Sequence, residues 1–286
     1  MTVGADRVMV GEDGATGGAD RATAGEDRAT AGTAKAWRVT GTLAIALVMV
    51  AGAGQTWSIV AQQQKSSTRQ FDGPIHRLRL ETGSASVRVR AGREDHVVVH
   101  QRLDWMGREP EVSLTPVGDQ LTVGLHCRLI LPALDLGCGA EIEVEVPAAT
   151  QVSGAVSSGS VQVEGMSGNV DVRLTSGQLM LVDTSGDVTA HTTSGMIQGT
   201  NLSSRRVTAE TTSGSMELNF TKPPQQVETR ATSGSVNMTL PRGSRYAFTG
   251  ETGSGSGGID PQLTDSASPN RIHATVTSGS VSINPS

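Results

Sequence analysis

From residue 158 onward the dipeptide Ser-Gly returns at a fixed interval, and no other feature of the chain limits its fold so tightly. Gly159, Gly168, Gly177, Gly186 and Gly195 are each nine residues apart, and Gly214, Gly234, Gly253 and Gly279 follow at 19, 20, 19 and 26. A period of this kind marks an array of repeated supersecondary units rather than one globular core. Two residues beyond each Gly of the nine-residue series stands Val161, Val170, Leu179, Val188 or Ile197. Two further on stands Val163, Val172, Leu181, Ala190 or Gly199. Apolar residues two apart share one face of a strand, while Gln162, Asp171 and Thr189 face away. Each unit therefore reads as a short strand and a turn, with Gly supplying the positive φ that a tight reversal needs.

Every second Gly (Gly159, Gly177, Gly195, Gly214, Gly234, Gly253) is separated from the next by 18, 18, 19, 20 and 19 residues. Two strands then make one coil, and residues 151–286 are expected to form an all-β solenoid of roughly six two-strand coils. Its edges differ. One keeps Ser-Gly throughout, with Gly159, Gly177, Gly195, Gly214, Gly234 and Gly279 as structural turn residues. The other begins with Gly168 and Gly186 and then varies: Ser203-Ser204-Arg205-Arg206, Lys222-Pro223-Pro224, Pro241-Arg242-Gly243, and an insertion around Asp260–Arg271. Repeat proteins carry their binding surface on varied, charged turns, so Arg205, Arg206, Lys222 and Arg242 are the candidate binding edge.

A solenoid needs caps over its end strands. Residues 75–150 alternate well in runs such as Ser86-Val87-Arg88-Val89-Arg90 and Glu141–Val146 but lack the period, and read as an N-terminal β cap behind a linker at 61–74. Pro285 would blunt the last strand.

Charge divides the rest of the chain. Residues 1–38 hold six acids and five bases, 39–60 hold none, and 65–286 hold 22 acids and 18 bases. The first part repeats near Ala19–Gly32 with Gly in each copy and no Leu or Ile, which suits a disordered low-complexity tail better than a coiled coil. Residues 39–60 are 22 uncharged residues flanked by Trp37 and Trp57, enough for one transmembrane helix with an indole at each interface. The alternative is a secretory signal cleaved after Ala51-Gly52-Ala53. Either way the C-terminal part leaves the cytoplasm, either on a single-pass anchor or as a secreted domain. There Cys127 and Cys138 would form a disulfide. His126 with the two cysteines matches no common zinc pattern.

Glu141-Ile-Glu-Val-Glu-Val-Pro147, leading into Val170-Asp-Val-Arg-Leu-Thr-Ser-Gly177 and Val188-Thr-Ala-His-Thr-Thr-Ser-Gly195, resembles the putative-adhesin family of bacterial β-strand repeat proteins. The resemblance covers about Ile75–Ile283. It implies a β-solenoid ectodomain, often behind one membrane segment, and it carries over no catalytic residues because the family is a domain of unknown function.

Chemistry-bearing motifs mostly fail. Gly253–Gly258 fits G-x-G-x-x-G, yet Pro261 and polar residues follow where a helix should begin. Glu141, Glu143 and Glu145 share a strand face, but alternate residues about 7 Å apart are too spread to ligate one Ca²⁺ unaided. His96 and His100 are too far apart on a strand to share a metal. The charge of −5 and 2% aromatic content exclude a nucleic-acid binder. No cofactor or metal is expected. The favoured function is a non-enzymatic, membrane-tethered, adhesin-like interaction module, with an anionic cell-envelope polymer or a surface protein as partner. Alternatives are an envelope-stress sensor or regulator and, third, a carbohydrate-active enzyme. The last would need clustered carboxylates on one sheet face, whereas Glu164, Asp171, Asp183, Asp187, Glu210, Glu217 and Glu228 look dispersed in sequence.

Overall fold

The computed structural model describes residues 63–93, 96–105, 109–127 and 138–286. The expected tail (1–38) and membrane segment (39–60) lie outside these residues. Among the described residues no helix is long and apolar enough to cross a membrane.

Among the described residues thirteen strands build a single sheet. They are β1 (Gln63–Asp72), β2 (Arg77–Ala91), β3 (His96–Trp105), β4 (Glu111–Val117), β5 (Gln120–His126), β6 (Cys138–Val146), β7 (Gln151–Glu164), β8 (Val170–Val182), β9 (Val188–Leu202), β10 (Arg206–Phe220), β11 (Gln226–Leu240), β12 (Ala247–Ile259) and β13 (Arg271–Pro285). β2, β7, β8, β9, β10, β11, β13 and β12 lie side by side in that order, all parallel.

Each of these strands is one coil. Its first arm buries alternate residues, as Val170, Val172 and Leu174 in β8; its second arm does the same with Leu179 and Leu181. Ser-Gly lies between the arms, inside the strand. The expected turn between two strands is therefore a bend within one, because the backbone ladder runs unbroken on both sides of it. The buried phase changes across the bend, from even residues before Ser176-Gly177 to odd residues after it, which keeps both arms facing one core. Like stacks on like along that core: Val161, Leu179, Ile197, Met216, Val236 and Val281 form one column, none more than 4% exposed. Full burial of such side chains contributes roughly 1.5–3 kcal/mol each. Gly199 stands at an inward position and yields its space to Leu202, whose Cδ1 would lie 2.5 Å from a Cβ there.

Three features depart from the sequence reading. β2 is itself the first coil, in full register with β7 (Leu78 beside Val152, Val87 beside Val161), so the stack has eight bent strands rather than six coils. β13 enters between β11 and β12, which leaves β12 at the end. In β12 the residue beside Gly279 is Gly255, not Gly253. The chain also pairs earlier than expected, since β1 occupies part of the segment read as a linker and lies antiparallel to β3.

The N-terminal end is closed by a divided coil. β5 runs parallel to the first arm of β2 and β6 parallel to its second arm. Neither crosses the bend. β4 then pairs antiparallel with β5, and β3 with β6. Ala85 can take the glycine column of β2 because no continuous strand passes beneath it.

Candidate binding edge

The connections opposite the Ser-Gly bend are residues 165–169, 183–187, 203–205, 221–225, 241–246 and 260–270. Gly168 and Gly186 lie on this edge. They are needed for closeness rather than for positive φ: a Cβ on Gly186 would stand 2.0 Å from the Gly168 carbonyl oxygen. Beyond Gly186 the connections 203–205, 221–225 and 241–246 carry bases and no acid, yet the backbones still stack. The Arg205 carbonyl accepts N–H bonds from Gln225 (2.8 Å) and Gln226 (3.0 Å), and the Gln225 carbonyl accepts from Arg271 (2.9 Å).

The four cations expected on this edge are all exposed, but they are not equivalent. Arg206 donates twice to Asp187 Oδ2, at 3.0 and 2.6 Å, and Arg242 donates to the Ser286 carbonyl. Arg205 and Lys222 have no ion-pair partner among the described residues. Two further cations belong with them. Arg245, on the 241–246 connection, and Arg271, the first residue of β13, are exposed and likewise in no ion pair among the described residues; a count of bases beside irregular turns could have found both.

Nearby acids do not neutralise this group. Asp260 accepts the Gln262 N–H (2.8 Å) and Asp265 the Ala267 N–H (2.9 Å), so both carboxylates serve as local turn caps. Arg206, Gln226 and Arg271 occupy one column on successive coils, which places the two arginines about 10 Å apart. The edge thus presents an elongated cationic strip on a rigid backing.

Many charges on the outer faces of the arms are paired instead. Arg230 bridges Glu228 (2.7 Å) and Glu210 (3.3 Å), and His191 Nδ1 lies 3.0 Å from Glu210. Two carboxylates that look dispersed in sequence are therefore gathered, but around a guanidinium. Glu143 and Glu145 converge on Arg90, and Glu141 faces Arg102 at 3.6 Å. The hydrogen bond from Arg90 to Glu145 raises the guanidinium above its ordinary value. Among the described residues no cluster of His, Cys, Asp and Glu could hold a metal ion. Short residues of β7 (Ser153, Ala155, Ser157) lie between the longer Arg79 and Arg173 and floor a surface depression of about 660 Å³.

Cys127 directly follows β5 and is disulfide-bonded; among the described residues no cysteine is free.

A family model for Toastrack DUF4097 matches residues 139–284, just over half of the chain. The chain belongs to the Toastrack DUF4097 family. The matched region of this Toastrack chain begins in β6 and runs through the stacked strands β7 to β13. Among curated proteins none matches. Three solved structures show similarity. A putative cell adhesion protein from Clostridium sporogenes has TM-score 0.38 and 10% identity, over 78% of this chain and 100% of its own. A putative adhesin from Bacteroides fragilis has TM-score 0.36 and 12% identity, over 78% and 97%. A putative lipid binding protein from Parabacteroides distasonis has TM-score 0.33 and 14% identity, also over 78% and 97%.

Proposed function

We propose that this Toastrack chain is a non-enzymatic interaction module, held outside the cytoplasm by residues 39–60, that binds an extended anionic polymer of the cell envelope along its cationic edge. One observation carries the reading: Arg205, Lys222, Arg245 and Arg271 stand exposed at the stacked connections with no ion pair among the described residues, while arm-face cations such as Arg90, Arg173 and Arg230 are ion-paired. Side chains held at coil spacing on a rigid rack suit a repeating polyanion, and the attraction should weaken with salt. Loops on a rigid scaffold are favoured binding sites, and exposed loop charges contribute little to folding.

The test is co-sedimentation with isolated cell walls at low and high salt. The quadruple variant Arg205→Ser, Lys222→Ser, Arg245→Ser, Arg271→Ser should lose most low-salt binding while melting within about 2 °C of wild type. Unchanged binding with unchanged melting would refute the site.

A further inference from the structure

The C-terminal end of the stack is an open sheet edge. Among the described residues β12 pairs with β13 alone. The connection after β12 pairs just ahead of the strand, where the Tyr246 N–H donates to the Leu263 carbonyl (2.8 Å) and the Asp265 N–H to the Tyr246 carbonyl (2.9 Å). Among the described residues none pairs with the outward edge from Thr249 to Ile259.

Edge strands of soluble proteins normally carry devices against pairing: Lys, Pro, charges or bulges. The other end of the stack has them, with Lys65, Arg69 and Asp72 on β1 and Glu111 and Pro116 on β4. Between Thr249 and Ile259, β12 has one charge, Glu251, and no Lys or Pro.

The strand is also complementary to itself. Its inward positions, read from the buried neighbours on β13, are Phe248, Gly250 and Thr252 on the first arm and Gly257 and Ile259 on the second. A two-fold axis through the bend sets the first arm of one copy antiparallel to the second arm of the other. Inward residues meet inward residues, with the bends superposed, only when Thr252 faces Gly257 and Gly250 faces Ile259. Every pair from Gly250 to Ile259 then contains a glycine: Glu251 faces Gly258, Gly253 faces Ser256, and Ser254 faces Gly255. Each side chain meets a position without one, and Ile259 fills the core position that Gly250 leaves vacant.

We propose that two copies of this chain associate end to end through antiparallel pairing of their β12 edges, joining two solenoids into one continuous core. The interface is isologous, as a closed dimer requires.

Gly258 supplies the test, because a Cβ there meets nothing within 4 Å and its φ lies outside the range that demands glycine. Full-length chain in non-ionic detergent would be followed by sedimentation velocity across a concentration series. Wild type should dimerise reversibly. Gly258→Glu sets a carboxylate opposite Glu251 of the second copy, twice per dimer, and should weaken association by about three- to tenfold; Gly258→Lys should tighten it by a similar factor. Glu251→Lys combined with Gly258→Glu should restore it. Monomeric melting of each variant guards against misfolding, and the Lys variant carries the same backbone change with the opposite expected sign. A wild type that stays monomeric, or a dimer indifferent to all three variants, would overturn the proposal.

Discussion

The carbonyl oxygen of Gly159 lies 1.9 Å from the point where a Cβ on Gly177 would stand. Gly177 also has φ +129°, a conformation that L side chains rarely adopt. The same contact recurs up the column, with Gly195 over Gly177 and Gly214 over Gly195. The bend is thus closed by sterics as much as by torsion.

Gly177→Val should accordingly destabilise far more than Gln178→Val. The first forces a β-branched residue into a strained φ and into a neighbouring backbone, costing about 3 kcal/mol or more. The second changes a half-buried outward side chain next to it. Thermal melts of the two variants decide this, and equal shifts would mean that the column can relax.

The rack was legible in sequence because stacking demands repetition: a residue that fits over its neighbour fits over the next, so Val161, Leu179 and Ile197 advertise the coil period. What broke the period was hidden. β2 carries Thr82-Gly83-Ser84-Ala85 at its bend, and without Ser-Gly its place as first coil was unreadable. The order β11, β13, β12 was equally obscure, although its physical reason is plain. An internal coil must fill the core, which Val276, Val281 and Ile283 do, whereas Gly250, Thr252 and Gly257 cost least at an end. The cationic edge was only partly readable, since ion pairing of Arg206 with Asp187 depends on which turns become neighbours.

We propose that the cysteines staple the divided coil. β5 ends and β6 begins on either side of the bend position of β2, and the disulfide proposed between Cys127 and Cys138 would join the two arms where Ser-Gly joins them elsewhere. Replacing both by Ser should lower stability by about 2–3 kcal/mol. Peptide mapping under non-reducing conditions would identify the pairing, and an unchanged melt on reduction would argue against the staple.

Arg77 at the start of β2 donates to Asp119 in the β4–β5 hairpin at 2.5 Å. This hydrogen bond first, and the Arg77 charge second, hold the Asp119 carboxyl below the usual carboxylate range. A carboxyl lowered in the folded state stabilises above its unfolded pKa, about 3.9, and that contribution is lost as pH falls through the lower folded value. Wild type should therefore lose slightly more melting temperature between pH 6 and pH 2 than Asp119→Asn. The difference should be small, since both side chains are well exposed. Parallel pH curves would remove Asp119 from the acid response.

Outward placement of the rack follows from the proposed anchor at 39–60. A protease-sensitive tag after Ser286 should be cleaved on intact cells, and one before Met1 should not. A protected C-terminal tag would place the domain inside, and a mature chain beginning at Gly54 would replace the anchor with a cleaved signal.

Thr229 occupies an inward position of β11 between Ala209 of β10 and Ala274 of β13. It is 0% exposed, and its hydroxyl has no hydrogen-bond partner among the described residues. A hydroxyl taken out of water without a new partner costs about 1–3 kcal/mol, and Val has nearly the same shape and strand preference. Thr229→Val should thus stabilise the protein by about 1 kcal/mol, raising the melting temperature by roughly 2–4 °C. Thr208, on the outward face of β10 and half-buried, is the control: Thr208→Val makes the same chemical change where water can already reach the hydroxyl, and should shift melting by less than about 1 °C. Thr192 and Thr211 repeat the situation in the next inward column, both buried with unpartnered hydroxyls, so Thr192→Val and Thr211→Val should each move in the same direction. A Thr229→Val variant that melts lower than wild type would show that the hydroxyl is satisfied inside the core, with an ordered water as the partner to look for.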